Sequence, residues 1–298
     1  MKYPSSGIFF DDFRHPGTHY FLSHFHQDHL YGLNRTWRKG RLFASAETRN
    51  LLHHITHLKD KYVTEIKPLV PVEILDCGIN YRITAIPANH CIGALMFLVE
   101  SKKGKALYTG DFRFDEEFYQ YKELFQGIDT VYMDTTYFQP KYRFPHQRES
   151  IETVIRIAEE FPQKKMLFGT YSIGKEKIFI ALNKHFGQKI FAPPEKLRHY
   201  EILGLGEVFT KNKEETRFFA YNMPALGYFF QRLASGEFVI IIPRGFGVDN
   251  KNSPGNVYYI PYSEHSSYDE IIRFLNFVNP AHLYDLHGKS ITYQPEFI

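Results

Sequence analysis

The sequence predicts an α/β fold, and three observations carry that prediction. Strand-like and helix-like stretches alternate along all 298 residues. Polar residues gather where the predicted strands close on turn signals, as in Thr109-Gly110-Asp111, the place where α/β folds collect their chemistry. A chain of this length buries about three quarters of its extended surface, enough for one large core or two modest ones.

In chain order, residues 18–22, 81–86, 95–100, 106–108 and 130–133 read as strands, being short apolar runs bounded by turn residues. Helical spacing of apolar residues appears over 47–58, 150–160 and 268–278. Composition shifts at Gln139, where the polar and basic stretch 139–148 leads into a strand over 165–169 and a helix over 176–186, a unit that reads as an insert. After a Gly- and Asn-rich loop, 245–255, the chain returns to a strand over 256–261 and then to Tyr262-Ser263-Glu264-His265-Ser266-Ser267-Tyr268. No internal repeat is present.

Composition narrows the class. With 43% hydrophobic and 23% charged residues, 28 Phe and 21 Tyr, the chain is neither disordered nor fibrous. A formal charge of +3 names no partner. Two cysteines, Cys77 and Cys91, argue against a disulfide framework and for a reducing compartment. No signal-like start and no run of 18 apolar residues occurs, so the expectation is an intracellular protein.

The dominant motif is His24-Phe25-His26-Gln27-Asp28-His29, directly after an apolar strand. Four such positions arise by chance about 0.002 times in a chain of this composition. Imidazole nitrogens and carboxylates are what zinc takes as ligands, and this loop offers several at one strand end. A metal site needs donors from elsewhere too, and His90 in Ala88-Asn89-His90-Cys91 and Asp111 in Tyr108-Thr109-Gly110-Asp111-Phe112-Arg113 also follow predicted strands. Alone, each is an ordinary turn residue. Beside the first motif they become ligand candidates.

Together these motifs resemble the metallo-β-lactamase fold, an αββα sandwich, and within it the β-CASP nucleases of the Artemis and Apollo group, which repair DNA cross-links. The same resemblance runs through Phe21-Leu22-Ser23-His24, Met96-Phe97-Leu98, Tyr171-Ser172-Ile173-Gly174-Lys175-Glu176 and Pro261-Tyr262-Ser263-Glu264-His265. It implies a discontinuous metallo-β-lactamase domain, 1–140 and 241–298, with 141–240 inserted as the β-CASP cap. It also implies one or two zinc ions, the first held by His24, His26, His90 and Asp111, the second faced by Asp28, His29 and a bridging Asp111. Asp11 matches the family's acidic residue before the first strand, orienting ligands from behind, with Asp12 as the alternative. Asp28, Asp134 and His265 would be catalytic, the carboxylates holding the attacking water and the imidazole serving the leaving oxygen.

Two features bear on the substrate. Tyr284-Asp285-Leu286-His287-Gly288 carries a His where the DNA-acting branch usually has Val, which is similar to the RNA-processing branch and makes His287 a candidate ligand of the second ion. Lys289 stands where that branch has an acidic residue, and Pro87 and Ile92 depart from the pattern around His90. Ser172, Gly174 and Lys175 lie between a predicted strand and helix, a natural anion cradle. In the exonuclease members this region helps hold a terminal 5′-phosphate.

Other signals are weaker. His53 and His57 are four apart on a predicted helix whose apolar side is Leu51, Leu52, Ile55 and Leu58, so they read as a solvated face. Gly204-Leu205-Gly206 lacks a third glycine, and Thr170 stands where a nucleophile elbow needs Gly. The expected activity is a 5′-phosphate-dependent 5′-to-3′ DNA exonuclease of nuclear DNA repair, with DNA as partner. The alternative is an RNA-processing nuclease acting on RNA, and a small-molecule metallo-hydrolase or a silent scaffold is less favoured.

Overall fold

A computed structural model describes residues 1–233, 236–245 and 255–292. Most of the Gly- and Asn-rich loop expected over 245–255 lies outside the described residues. The chain divides into two compact units, Met1–Lys141 with His265–Ile298, and Tyr142–Glu264.

The first unit contains two sheets. Strands β1 (Ile8–Phe10), β2 (His19–Phe21), β3 (Arg41–Ala44) and β4 (Val63–Glu65) form a four-stranded parallel sheet in that order. Strands β5 (Val72–Asp76), β6 (Ile79–Pro87), β7 (Leu95–Ser101), β8 (Gly104–Tyr108), β9 (Thr130–Met133) and β16 (His282–Asp285) form a mixed sheet, ordered β16-β9-β8-β7-β6-β5. Side chains alternate across this second sheet. Leu95, Phe97 and Val99 of β7 face a core shared with Phe10, Phe21 and Phe43 of the first sheet. Met96 and Leu98 face an opposite core with Ile271, Phe274, Leu275 and Val278 of helix α7 (Tyr268–Val278). Burial on both faces explains why β7 reads as an unbroken apolar run. Helix α7 starts at a capping box, Ser267 with Glu270, and buried Glu270 also pairs with buried Arg113 at 3.0 Å.

The second unit is a parallel sheet ordered β12-β11-β13-β10-β14-β15, made of β10 (Lys165–Thr170), β11 (Ile190–Phe191), β12 (Phe209–Thr210), β13 (Phe218–Asn222), β14 (Phe238–Arg244) and β15 (Val257–Pro261). Helices α3 (Gln147–Glu160), α4 (Glu176–Phe186) and α5 (Pro194–Ile202) bury Val154, Phe179 and Tyr200 against one face. Leu226 of the short α6 (Leu226–Phe230) packs on the other face, beside Leu167 and Ile240.

Two expectations need correction. The insert does not end at 240: β14 and β15 pair in its own sheet, Ile240 opposite Val257, so the boundary falls after Glu264. A parallel strand needs a neighbour on its sheet to satisfy its backbone, and these two find theirs in the insert. The helix expected over 47–58 is α-helical only over α1 (Ala46–Leu51), continues as a π-turn (Leu52–Thr56) and stops at His57, whose φ of 58° is left-handed. His53 and His57 are exposed, as a solvated face requires.

Candidate metal centre

Strand direction brings the candidate residues together. β6 and β8 both run antiparallel to β7, and β9 and β16 run parallel to β8, so these four strands end on one edge of the sheet. The residues just past those ends include His90, Asp111, Asp134 and His287. The loop after β2 joins them through the Leu95 N–H, which donates to the Ser23 carbonyl at 2.9 Å. Gly110 permits that approach: its φ is 51°, and a Cβ there would lie 2.7 Å from Cβ of Ser23.

Within that junction His24, His26, His90 and Asp111 converge. His26 Nδ1 lies 2.9 Å from His24 Nε2 and 3.0 Å from His90 Nε2. Asp111 Oδ2 stands 3.5 Å from His24 Nε2 and 3.7 Å from His90 Nε2. Donors bound tetrahedrally at zinc distances stand about 3.3 Å apart, and these separations bracket that value. Burial, reinforced by His29, His26, His90 and His265, holds the His24 pKa well below the usual imidazole range, so it is neutral. The Ser23 hydroxyl donates to Asp11 Oδ2 at 2.6 Å and therefore accepts from His24 Nδ1 at 2.9 Å, leaving the Nε2 lone pair turned into the donor set. Three imidazoles and a carboxylate arranged in this way fit a metal cation.

A second set, Asp28, His29 and Asp111, shares the same carboxylate. His29 Nε2 is 3.3 Å from Asp111 Oδ1 and 3.9 Å from Asp28 Oδ2. Burial opposes charge on His29, but Asp111 and Asp11 outweigh it and push its pKa up to about 11. The position therefore draws positive charge, for which a proton and a metal ion compete. Asp11 stands behind the ring: its Oδ2 accepts from His29 Nδ1 at 2.8 Å and from the Tyr108 hydroxyl at 3.1 Å, and its Oδ1 accepts from the Ser23 N–H at 2.8 Å. Asp12 instead pairs with Arg14 at 2.9 Å, so of the two adjacent carboxylates only Asp11 faces the donors.

Asp134 and His265 form a third group with Asp111. His265 Nδ1 lies 2.6 Å from Asp134 Oδ2, and His265 Nε2 lies 3.9 Å from Asp111 Oδ2. Burial would raise the Asp134 pKa, but His265 and Thr136 outweigh it and keep the carboxylate below its ordinary range. His265 is held by its neighbour Ser266, whose N–H donates to the Phe112 carbonyl at 2.9 Å and whose hydroxyl accepts from the Phe114 N–H at 2.9 Å. His287 is exposed and belongs to none of the three donor groups. It lines the same cavity, about 1170 Å³, as Asp28, His29, Asp111 and Asp134.

The expected anion cradle is different. Lys175 caps α4 in a left-handed conformation, φ 70°, and its N–H donates to Glu264 Oε1 at 2.7 Å. Its ammonium lies 3.5 Å from Glu264 Oε2, and the Gly174 N–H donates to Glu176. Gly174 and Lys175 thus have their donors taken by the protein's own carboxylates, and Ser172 is exposed beside them. Their placement is as expected, but an open anion cradle is not what they form: burial of Glu264 and Glu176 requires those donors as partners.

Residue types alone did not single out Ser23, Tyr108 or Thr136, which orient Asp11, His24 and Asp134. The Ser directly before the His motif and the Thr two residues after Asp134, a turn-forming spacing, were the available signals.

Two family profiles match this chain: the β-lactamase superfamily domain over residues 15–169 and the DNA repair metallo-β-lactamase domain over 205–285. DNA ligase 6 of Arabidopsis thaliana is 32% identical over 97% of the chain and 23% of the ligase. The 5′ exonuclease Apollo of Gallus gallus is 32% identical over 88% of the chain and 57% of that protein. The chain thus spans from about a quarter to just over half the length of these relatives. A solved protein of unknown function from Enterococcus faecalis V583, 14% identical, has a TM-score of 0.65 over 93% of this chain and 80% of its own, a likeness of fold.

Proposed function

The chain belongs to the β-lactamase superfamily and carries its DNA repair metallo-β-lactamase domain, and from that premise we propose a zinc-dependent nuclease that trims DNA as a 5′-phosphate-dependent 5′-to-3′ exonuclease in nuclear DNA repair. The observation that carries the reading is the convergence of three imidazoles and a carboxylate beside a second set sharing that carboxylate. His24, His26, His90 and Asp111 would hold one zinc, and Asp28, His29 and Asp111 a second. Bound there, zinc supplies Lewis acidity that brings the pKa of water to about 7 and neutralises charge on phosphate oxygens.

The chain's own groups supply the rest. Asp28, exposed at the rim, and Asp134 orient the attacking water. Asp134 Oδ2 accepts from Nδ1 of His265, so His265 serves the departing oxygen as the imidazolium, giving up its Nε2 proton and staying bonded to Asp134. The 5′ direction is supported by the name of the Apollo relative, since the turn at Ser172, Gly174 and Lys175 is closed by Glu264 and Glu176. The same catalysis on RNA is the second reading, favoured by His287 lining the cavity of the second donor set.

Labelled single strands of DNA and RNA, each with a 5′-phosphate or 5′-hydroxyl, test both readings alongside metal content. Trimming of 5′-phosphorylated DNA, with His287→Ala almost unaffected, supports the exonuclease. Cutting of RNA, with His287→Ala losing a metal equivalent and activity together, supports the RNA reading. Turnover of a thioester or β-lactam in place of either strand overturns both.

A further inference from the structure

The cavity that holds the second donor set has another wall, which the proposed chemistry leaves unused. It includes Phe9, Arg14, His15 and Tyr31, with Lys2 beside them. Tyr31 lies two residues past His29, and 58% of it is exposed where it lines this cavity.

Its position is built rather than loose. The Tyr31 carbonyl accepts from the Phe13 N–H at 2.9 Å. The next residue, Gly32, has φ +89°, and a Cβ there would come within 2.7 Å of the Arg14 nitrogen and the Phe13 carbonyl carbon. Only glycine lets this turn lie against that backbone. The Arg14 guanidinium stands 5.6 Å from the Tyr31 ring centre and is held by Asp12 through bonds of 2.9 and 3.1 Å. Asp12 offsets the Arg14 charge, so Arg14 contributes a flat, fixed surface more than a free cation. Beside it the rings of Phe9 and His15 stack at 6.3 Å.

We propose that Tyr31, steadied by Arg14, is a stacking platform for a nucleobase of the strand whose phosphodiester reaches the metal donors. The inference rests on the reading of this site as a nuclease. The donors Asp28, His29 and Asp111 line one cavity with Tyr31, so a strand with its phosphate at the donors has a neighbouring base on the Tyr31 side. Base stacking on an aromatic ring is worth about 1–3 kcal/mol and tolerates any sequence, which suits an enzyme that removes successive nucleotides.

The test uses the full chain with zinc and single-stranded DNA, comparing wild type, Tyr31→Phe and Tyr31→Ala, with thermal midpoints to show that all three fold. Tyr31→Ala is expected to raise KM about 5- to 150-fold with kcat nearly unchanged, while Tyr31→Phe stays close to wild type. Substrates with a single abasic position, moved nucleotide by nucleotide from the cut end, locate the stacked base. At one position the abasic strand should weaken wild type and leave Tyr31→Ala no worse. An unchanged KM for Tyr31→Ala, a loss confined to kcat, or an equal penalty at every abasic position overturns the platform. Failure of wild type to cut any strand instead sinks the nuclease reading beneath it.

Discussion

Two turns in this chain follow strands and gather charged side chains, yet they end in different electrostatic states. The loop after β2 meets the ends of β6, β8 and β9, where Asp11, Asp28, Asp111 and Asp134 gather with imidazoles around an open cavity. The turn before α4 gathers Glu176 and Glu264 with Lys175, and Lys196 lies against the Tyr171 and Ser172 carbonyls of the same turn. In the first, carboxylates outnumber the cations of the chain and face a space that an ion can enter. In the second, two buried carboxylates have two ammonium groups and two backbone N–H groups at hand. The difference teaches that charged residues at a strand end make a site only when the chain leaves the charge unbalanced. Where it balances the charge, the same residues make a joint.

The sharpest way to break this comparison is Asp111→Ala. Asp111 belongs to all three donor groups, so the substitution should lower hydrolysis by about 10³-fold or more and strip bound metal, read by elemental analysis beside a strand-cleavage assay. Retention of full metal content would falsify the shared-carboxylate site. Next in size is Asp11→Asn, which keeps the shape of the group behind His29 but removes its charge. Competition against a chelator should show metal bound about 10- to 100-fold more weakly, with the fold intact by circular dichroism.

Lys175→Ala probes the balanced turn. It should lower the thermal midpoint, because it leaves Glu264 buried with less compensation, and leave the ratio of 5′-phosphate to 5′-hydroxyl cleavage unchanged. A collapse of that ratio would restore the phosphate cradle expected from the residue types.

The smallest effect concerns pH. Burial and the neighbouring Glu264 push the Glu176 pKa up to about 7, from an ordinary 4.5. The folded state therefore holds this proton more tightly than the unfolded chain does. Between those two values stability falls as pH rises, and it levels off above about 7. Burial lowers Lys196 to about 8, which places its opposite trend at higher pH and outside this window. Glu176→Gln keeps an acceptor for the Gly174 N–H, so its thermal midpoint should vary less than that of wild type across pH 5 to 7. An equal slope in both proteins would show that Glu176 is not the group responsible.

Much of the first unit was readable because its strands are locally punctuated. The expected strand over 130–133 and helix over 268–278 coincide with β9 and α7, where turn residues and a Ser-x-x-Glu cap mark the ends. The insert was harder. The runs that became β14 and β15 are apolar on both faces and could join any buried parallel sheet, so nothing local assigned them to the insert. The helix expected over 47–58 failed because a helical apolar pattern is indifferent to a π-turn, which here is accompanied by a Thr56 hydroxyl bonded to the Leu52 carbonyl at 2.6 Å.

By itself the sequence determined the donor types, their grouping after strands and the family to which they point, because imidazole and carboxylate chemistry is carried by residue identity and short spacing. Tertiary structure decided which donors share a point, that Asp11 and not Asp12 stands behind His29, and that Lys175 is already partnered. These outcomes depend on residues far apart in the chain, Ser23 against Gly110 and Lys175 against Glu264, and so on distances that no local pattern encodes.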